Sequence, residues 1–167
     1  MEKGAEKVYA VDVGHGQLDK KLQNNSRVVN CEGTNARELT SDHFSEAVDF
    51  FSVDVSFISL KHIMNALSDC SAYGCIFAVL IKPQFEAGKN ALNKKGIVTD
   101  KRVHKAVLKE ITEYFNMCGL SVCGLTFSGI KGSDGNIEYL AYLKKSEIVI
   151  NSDINTDAVA DEAFNSL

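Results

Sequence analysis

Asp54 closes the apolar run VDFFSVDV at residues 48–55, and Lys82 follows the still more apolar CIFAVLI at 75–81. Glu138 opens a later run of alternating character, IEYLAYL. If these runs are neighbouring strands, an acid and an amine face each other across one cleft and a second acid joins them. Such a trio can orient and deprotonate an alcohol, which is general-base work. The same residues could equally be a salt bridge stitching strand ends, and spacing leaves both readings open. A second group lies nearer the start of the chain. Asp12 ends the run VYAV and precedes Gly14 and Gly16. An acid at a strand tip before a glycine turn can accept hydrogen bonds from a ribose diol, or it can cap a helix beginning near Gly14. Thr34 and Asn35, after the next strand, could edge an adenine ring, although both are ordinary turn residues.

Lys82, Lys89, Lys94, Lys95, Lys101, Arg102 and Lys105 form the marked positive concentration of the chain. It would suit a phosphate backbone, or it is a solvated lysine face. The four histidines (His15, His43, His62, His104) have no pair at helical or metal spacing and read as surface or helix-face residues. Of the five cysteines, Cys70 and Cys75, and Cys118 and Cys123, are each separated by four residues, wider than the two-residue gaps of most zinc sites. They read as reduced packing residues in a reducing compartment, with no metal expected.

The elements that must position these groups alternate strand and helix. Residues 8–11, 27–31, 48–55 and 75–81 read as strands, the last two continuous enough in apolar residues to be buried and parallel. A helix is expected near 17–24, and another after Ser59 with Leu60, Ile63, Met64, Leu67 and Cys70 on one face. Residues 82–99 read as a long basic loop, the kind that is usually functional in a small domain. The strongest helix pattern starts at Thr99 or Asp100, carries Val103, Ala106, Val107, Ile111, Tyr114, Phe115 and Cys118 inward, and stops at Gly119. Residues 121–130 and 136–144 alternate with period two across the turn KGSDG, as an antiparallel hairpin does. The sum is an α/β doubly wound sheet with ligands at the carboxyl ends of its strands.

With 167 residues, about one domain is expected. At 45% hydrophobic and 24% charged, the chain has the makings of a real core. No run approaches the roughly 20 apolar residues of a membrane span, and no signal peptide opens the sequence; a cytoplasmic protein without membrane partners is expected. The net charge of −4 argues at first against nucleic acid. However, five of the 22 acids (Glu147, Asp153, Asp157, Asp161, Glu162) lie in 146–167, which has no Lys or Arg, so residues 1–145 hold 18 bases against 17 acids. That acidic segment reads as a flexible tail with at most one short amphipathic turn.

VYAVDVGHGQL (8–18), EGTNAREL (32–39), VDVSFISL (53–60), LIKPQFEAG (80–88), GIVTDKRVH (96–104) and SGIKGSDGNIEYL (128–140) together resemble the TlyA or haemolysin A family of FtsJ-like ribosomal RNA methyltransferases. The resemblance covers roughly residues 4–145 and implies a Rossmann-like class I methyltransferase domain closed by the hairpin, acting with S-adenosylmethionine on a ribose 2′-hydroxyl of ribosomal RNA or a ribosomal subunit. Asp54, Lys82 and Glu138 fall on the last three members of a Lys-Asp-Lys-Glu tetrad, with Lys82 as the base and the two acids positioning it. Asp12 and Val13, with Thr34, Asn35 and Asp54, fall on the cofactor side. Lys82, Lys89, Lys94, Lys95, Lys101 and Arg102 are the residues expected to meet RNA. The family's S4 RNA-binding domain, first tetrad lysine, central first strand and glycine-rich cofactor loop have no counterpart in this sequence. Gly33 and His15 replace an expected Arg and Tyr. A partial domain, inactive by itself and self-associating through the gap in its sheet, is therefore the expectation; a non-catalytic RNA- or protein-binding remnant is the alternative.

Overall fold

The computed structural model describes residues 4–150 and 153–167. Among the described residues, six strands form two separate sheets. β1 (Val8–Asp12) and β2 (Val28–Glu32) make a parallel ribbon; β3 (Val48–Val53), β4 (Ser71–Ile81), β5 (Leu120–Phe127) and β6 (Tyr139–Lys145) make a mixed sheet in the order β3-β4-β6-β5. β3 and β4 run parallel, with Val53 beside Val79, whereas β6 is antiparallel to both its neighbours, with Tyr139 beside Ile81 on one edge and Phe127 on the other. The closing hairpin is thus as the alternation of residues predicts. No ladder joins β1 to β3. The interruption falls between the strand that ends at Asp12 and the one that precedes Asp54, where the resemblance places a further strand.

Side chains alternate across each strand, so every second residue faces the core. Along β4 these are Cys75, Phe77, Val79 and Ile81, and along β6 Tyr139, Ala141 and Leu143, all buried. Helix α4 (Lys101–Met117), capped by Asp100, covers this face with His104, Val107, Leu108, Ile111 and Phe115. The other helices are α1 (Lys20–Gln23), α2 (Met64–Asp69), α3 (Pro83–Glu86) and α5 (Thr156–Ser166). The opposite face of the mixed sheet leaves Phe50, Leu140 and Tyr142 exposed.

Four expectations change. The helix near 17–24 shrinks to α1, because Glu32 on β2 accepts from the amide of Leu18 at 2.8 Å and holds that stretch as a loop. That bond, followed by one from the Asn30 side chain at 3.2 Å, pulls the Glu32 carboxyl down to about 2. The segment 82–99 is interrupted by α3 and a 3₁₀ turn at Lys89–Ala91. The expected flexible tail is, over 156–166, the helix α5: Asn155 Oδ1 caps it through the Ala158 amide at 3.0 Å, and Ala160 and Ala163 are fully buried. Alanine's small size lets α5 approach α4 closely, and Asp161 pairs with Lys101 and Lys105 at 2.8 Å each. Finally, His104 lies on the inner face of α4 with no exposure.

Cys118 ends α4 and Cys123 lies in β5, and all five cysteines are free thiols. Burial pushes the Cys75 thiol up to about 11, as suits a packing residue. Among the described residues, no group of three or more His, Cys, Asp or Glu could hold a metal ion, and no helix is long and apolar enough to cross a membrane.

Candidate active site

Lys82 follows directly on β4 and precedes Pro83, whose ring restricts the residue before it to extended backbone. Lys82 accordingly sits at φ −114°, ψ 98°, and Pro83 takes the first turn of α3, where its missing N–H costs nothing. The strand therefore ends abruptly, and the lysine side chain is delivered at the sheet's edge rather than along it. Asp54 follows β3 in the same way. Lys82 Nζ lies 2.7 Å from Asp54 Oδ1 and donates to Ser56 Oγ at 3.1 Å. The lysine side chain is only 13% exposed while that of Asp54 is 67% exposed, so the pair runs from the surface inward with its amine end the more buried.

Glu138 precedes β6, one step beyond the Ile81–Tyr139 pair, which sets it opposite Lys82 in the antiparallel register. It is 8% exposed. The three predicted residues thus converge on one end of the mixed sheet. Glu86 ties the loops that carry them: its carboxylate accepts from Ser59 Oγ at 2.5 Å and from the Leu60 amide at 2.8 Å, joining α3 to the segment after Asp54. Burial, outweighing these bonds, raises the Glu86 carboxyl above its ordinary range.

Two residues here were not singled out by the sequence. Phe57 has φ +62°, a left-handed conformation rare outside glycine, and is 91% exposed, one ring edge against Phe85 at 5.1 Å between centroids. A strained, exposed aromatic three residues after Asp54 is a feature that no spacing rule marks. Gln84 is 7% exposed, and its Nε2 donates to Glu138 Oε1 at 3.5 Å.

The expected cofactor residues lie apart from this cluster, on the ribbon. Asp12 Oδ1 accepts from the Gly14 amide at 2.7 Å, closing a turn rather than capping a helix. Val13 beside it is 73% exposed. Asn35 Oδ1 caps the 3₁₀ turn Ala36–Glu38 through the Arg37 amide at 3.1 Å, and its Nδ2 donates to Glu38, so its side chain is engaged locally. The Thr34 amide donates to the Asp12 carbonyl at 3.1 Å, which brings the two segments together. The departures at 15 and 33 go together: a Cβ on Gly33, at φ +77°, would come within 2.5 Å of His15 Cε1. His15 fills the space that a side chain at 33 would need.

The basic residues are engaged to different degrees. Lys89, Lys94 and Lys95 stand exposed between α3 and α4. Lys101 is paired with Asp161, Lys105 with Asp161, and Arg102 with Asp100 at 2.7 Å.

The sequence matches the model of the FtsJ-like methyltransferase family over residues 1–145. The chain belongs to that family. It is 45% identical over 144 residues to YqxC of Bacillus subtilis, described as a candidate rRNA methyltransferase, covering 86% of this chain and 51% of that protein. It is 37% identical over 144 residues to the 16S/23S rRNA (cytidine-2′-O)-methyltransferase TlyA of Mycobacterium tuberculosis, covering 86% and 54%. A solved structure from Streptococcus thermophilus, described as a candidate hemolysin, superposes with a TM-score of 0.94 at 41% identity, covering 99% of this chain and 60% of that one. The fold alone is shared with an S-adenosylmethionine-dependent methyltransferase of Listeria monocytogenes, at 14% identity and a TM-score of 0.59, covering 87% and 83%. The chain spans about half the length of the curated relatives it matches. Its fold is accordingly the Rossmann-like methyltransferase fold.

Proposed function

We propose that this chain is the catalytic portion of an S-adenosylmethionine-dependent enzyme that methylates a ribose 2′-hydroxyl of ribosomal RNA. The observation that carries the reading is the 2.7 Å contact between Lys82 Nζ and Asp54 at the ends of two adjacent strands, with Glu138 opposite in register. Two carboxylates and one amine converge where a hydroxyl could enter.

Asp12 at the tip of β1, with exposed Val13 beside it, has the carboxylate and apolar surface that the ribose and adenine of S-adenosylmethionine require, and these residues fit the nucleoside half. When bound, S-adenosylmethionine supplies an electrophilic methyl. Lys82 takes the proton of the ribose hydroxyl, and Asp54 stabilises the ammonium that results. Ser56 holds the amine on its other side. Glu138, buried across the cleft, fixes the direction from which the hydroxyl approaches. Phe57 offers a flat apolar face at the rim, suited to a nucleotide base. Lys89, Lys94 and Lys95, with Lys82, Lys101 and Arg102 in shorter reach, provide contacts for phosphates. Methyl transfer itself needs alignment and exclusion of water more than an elaborate nucleophile.

The test is incorporation of labelled methyl groups into ribosomal RNA, mapped as alkali-resistant 2′-O-methyl. Lys82→Ala is expected to lower the rate about 10²- to 10⁴-fold; an unchanged rate would overturn the assignment of the base. The break between β1 and β3 favours a second reading, a non-catalytic RNA- or protein-binding module, because no ladder fixes Asp12 relative to Lys82. RNA retention with neither methyl transfer nor cofactor binding by titration calorimetry would select it. The unpaired edges of β1 and β3, with Phe50 53% exposed on β3, also favour association with a second copy; a monomer by light scattering would remove that element.

A further inference from the structure

We infer that Gln84 and Gly132 are positioning residues for Glu138, together holding its carboxylate in a single place across the cleft from Lys82. The inference rests on reading that cleft as the methyl-transfer site.

Gln84 lies in α3, two residues after Lys82, and is 7% exposed. Its Nε2 points at Glu138 Oε1 at 3.5 Å, the long end of hydrogen bonding, and its own Oε1 is buried with no partner among the described residues. A leucine or methionine would fill the same volume without burying an orphaned carbonyl oxygen, which is a cost to the fold. The orientation of the amide follows from its neighbour: a carboxylate only accepts, so the nitrogen turns toward it and the oxygen is left unpaired. The glutamine thus serves the glutamate rather than the core.

Gly132 points to the same carboxylate independently. Its φ lies outside the left-handed region, so the backbone does not require glycine there. A Cβ on Gly132 would instead overlap Oε1 and Cδ of Glu138 and lie 2.9 Å from Oε2. The missing side chain is the space the carboxylate occupies. The walls of that space are pinned. The Gly132 amide donates to the Asn136 carbonyl at 2.9 Å, and Asn136 Oδ1 accepts from the Val98 amide while its Nδ2 donates to the Gly96 carbonyl, both at 3.3 Å. One residue beyond Glu138, Tyr139 Oη meets His104 Nδ1 at 2.9 Å, and His104 Nε2 meets the Val98 carbonyl at 2.9 Å. The carboxylate is therefore enclosed by a glutamine from the Lys82 side and a glycine from its own loop, each chosen against the simpler alternative.

Three variants test this: Gln84→Met removes the donor and keeps the volume, Gly132→Ala displaces the carboxylate, and Glu138→Gln removes the carboxylate and keeps its shape. Methyl transfer from S-adenosylmethionine to ribosomal RNA is expected to lose about ten- to a hundred-fold in kcat for the first two. KM should stay within about two-fold, since the lost interaction acts on the transition state rather than on binding. Wild-type kcat in both, beside a depressed Glu138→Gln, overturns the positioning role and leaves the site reading intact. Wild-type kcat in Glu138→Gln overturns both. A second measurement decides the matter without turnover. In the 167-residue chain, the nitrogen-15 and proton resonances of the Gln84 side-chain amide should shift in both Glu138→Gln and Gly132→Ala. Resonances unmoved by either substitution overturn the inference.

Discussion

The mixed sheet and the β1–β2 ribbon are built to different standards. Every strand of the mixed sheet contributes buried residues, and α4 and α5 cover it; across residues 4–38 not one residue is buried, and Leu39 is the first. The ribbon is held to the rest through side chains. Tyr9 Oη accepts from the Ser45 amide at 3.0 Å, its ring meets Phe44 edge-on at 5.0 Å, and Lys7 pairs with Glu46 at 3.2 Å. Residues with few buried contacts open first. The half that carries Lys82, Asp54 and Glu138 thus rests on a buried core, whereas the half that carries Asp12 rests on a two-stranded ladder and part-exposed side-chain contacts.

The contrast can be broken most sharply by truncation. Phe115→Ala, in the core under the mixed sheet, should cost about 3–5 kcal/mol, whereas Val29→Ala in β2 should cost about 1 kcal/mol or less. Denaturant unfolding compares them, and equal costs would mean the ribbon shares the core. Next comes α5. Ala163→Leu should cost about 1–3 kcal/mol by overpacking against α4; a neutral result would return residues 156–166 to a loose tail. Within the ribbon, Gly33→Ala should cost about 1–2 kcal/mol for its left-handed backbone, plus the collision with His15. His15→Ala should restore only the second part, as a double-mutant cycle would reveal.

Acid titration sharpens the comparison further. Burial holds the His104 imidazole below its ordinary value of 6.5, with the Val98 carbonyl and nearby Asp100 partly opposing. The unfolded chain therefore binds a proton near pH 6.5 that the folded chain refuses, so stability is constant above that value and falls as pH drops through the lower folded one. Melting between pH 7 and 5 should decline more steeply in the wild type than in His104→Gln. Glu86, raised by burial, works in the opposite sense nearer the carboxylate range, adding stability as pH falls. The smallest effect belongs to Lys105→Ala, which loses the part-exposed pair with Asp161; melting should change little, and less still in high salt.

Much of this was legible in the residues. Strands β3 and β4 announce themselves by continuous apolar runs, β5 and β6 by alternation, and the placing of Asp54, Lys82 and Glu138 follows from their positions at strand ends. What escaped depends on contacts between distant segments. The inner stripe of α5, Val159, Ala160, Ala163, Phe164 and Leu167, has helical spacing and a capping Asn155, but alanine carries so little hydrophobicity that the acids around it dominate the pattern. Gln84 falls in the segment read as a long basic loop, and only the fold shows which carboxylate it faces. Phe57 is unusual in its backbone, and composition cannot express a dihedral angle. Asn35 and Arg102 were legible as polar residues, yet local caps and pairs engage both.

The position of β6 carries a consequence in time. It is the last strand along the chain, yet it lies between β4 and β5. During synthesis, β4 leaves the ribosome with only β3 to pair with, and its other edge stays open until residues 139–145 have followed and inserted as a hairpin with β5. Pairing across that sequence distance is slow relative to local structure. Until residues 139–145 are made, the strands of Lys82 and Asp54 can pair but Glu138 has no strand to place it. The cleft is completed by the last strand to arrive.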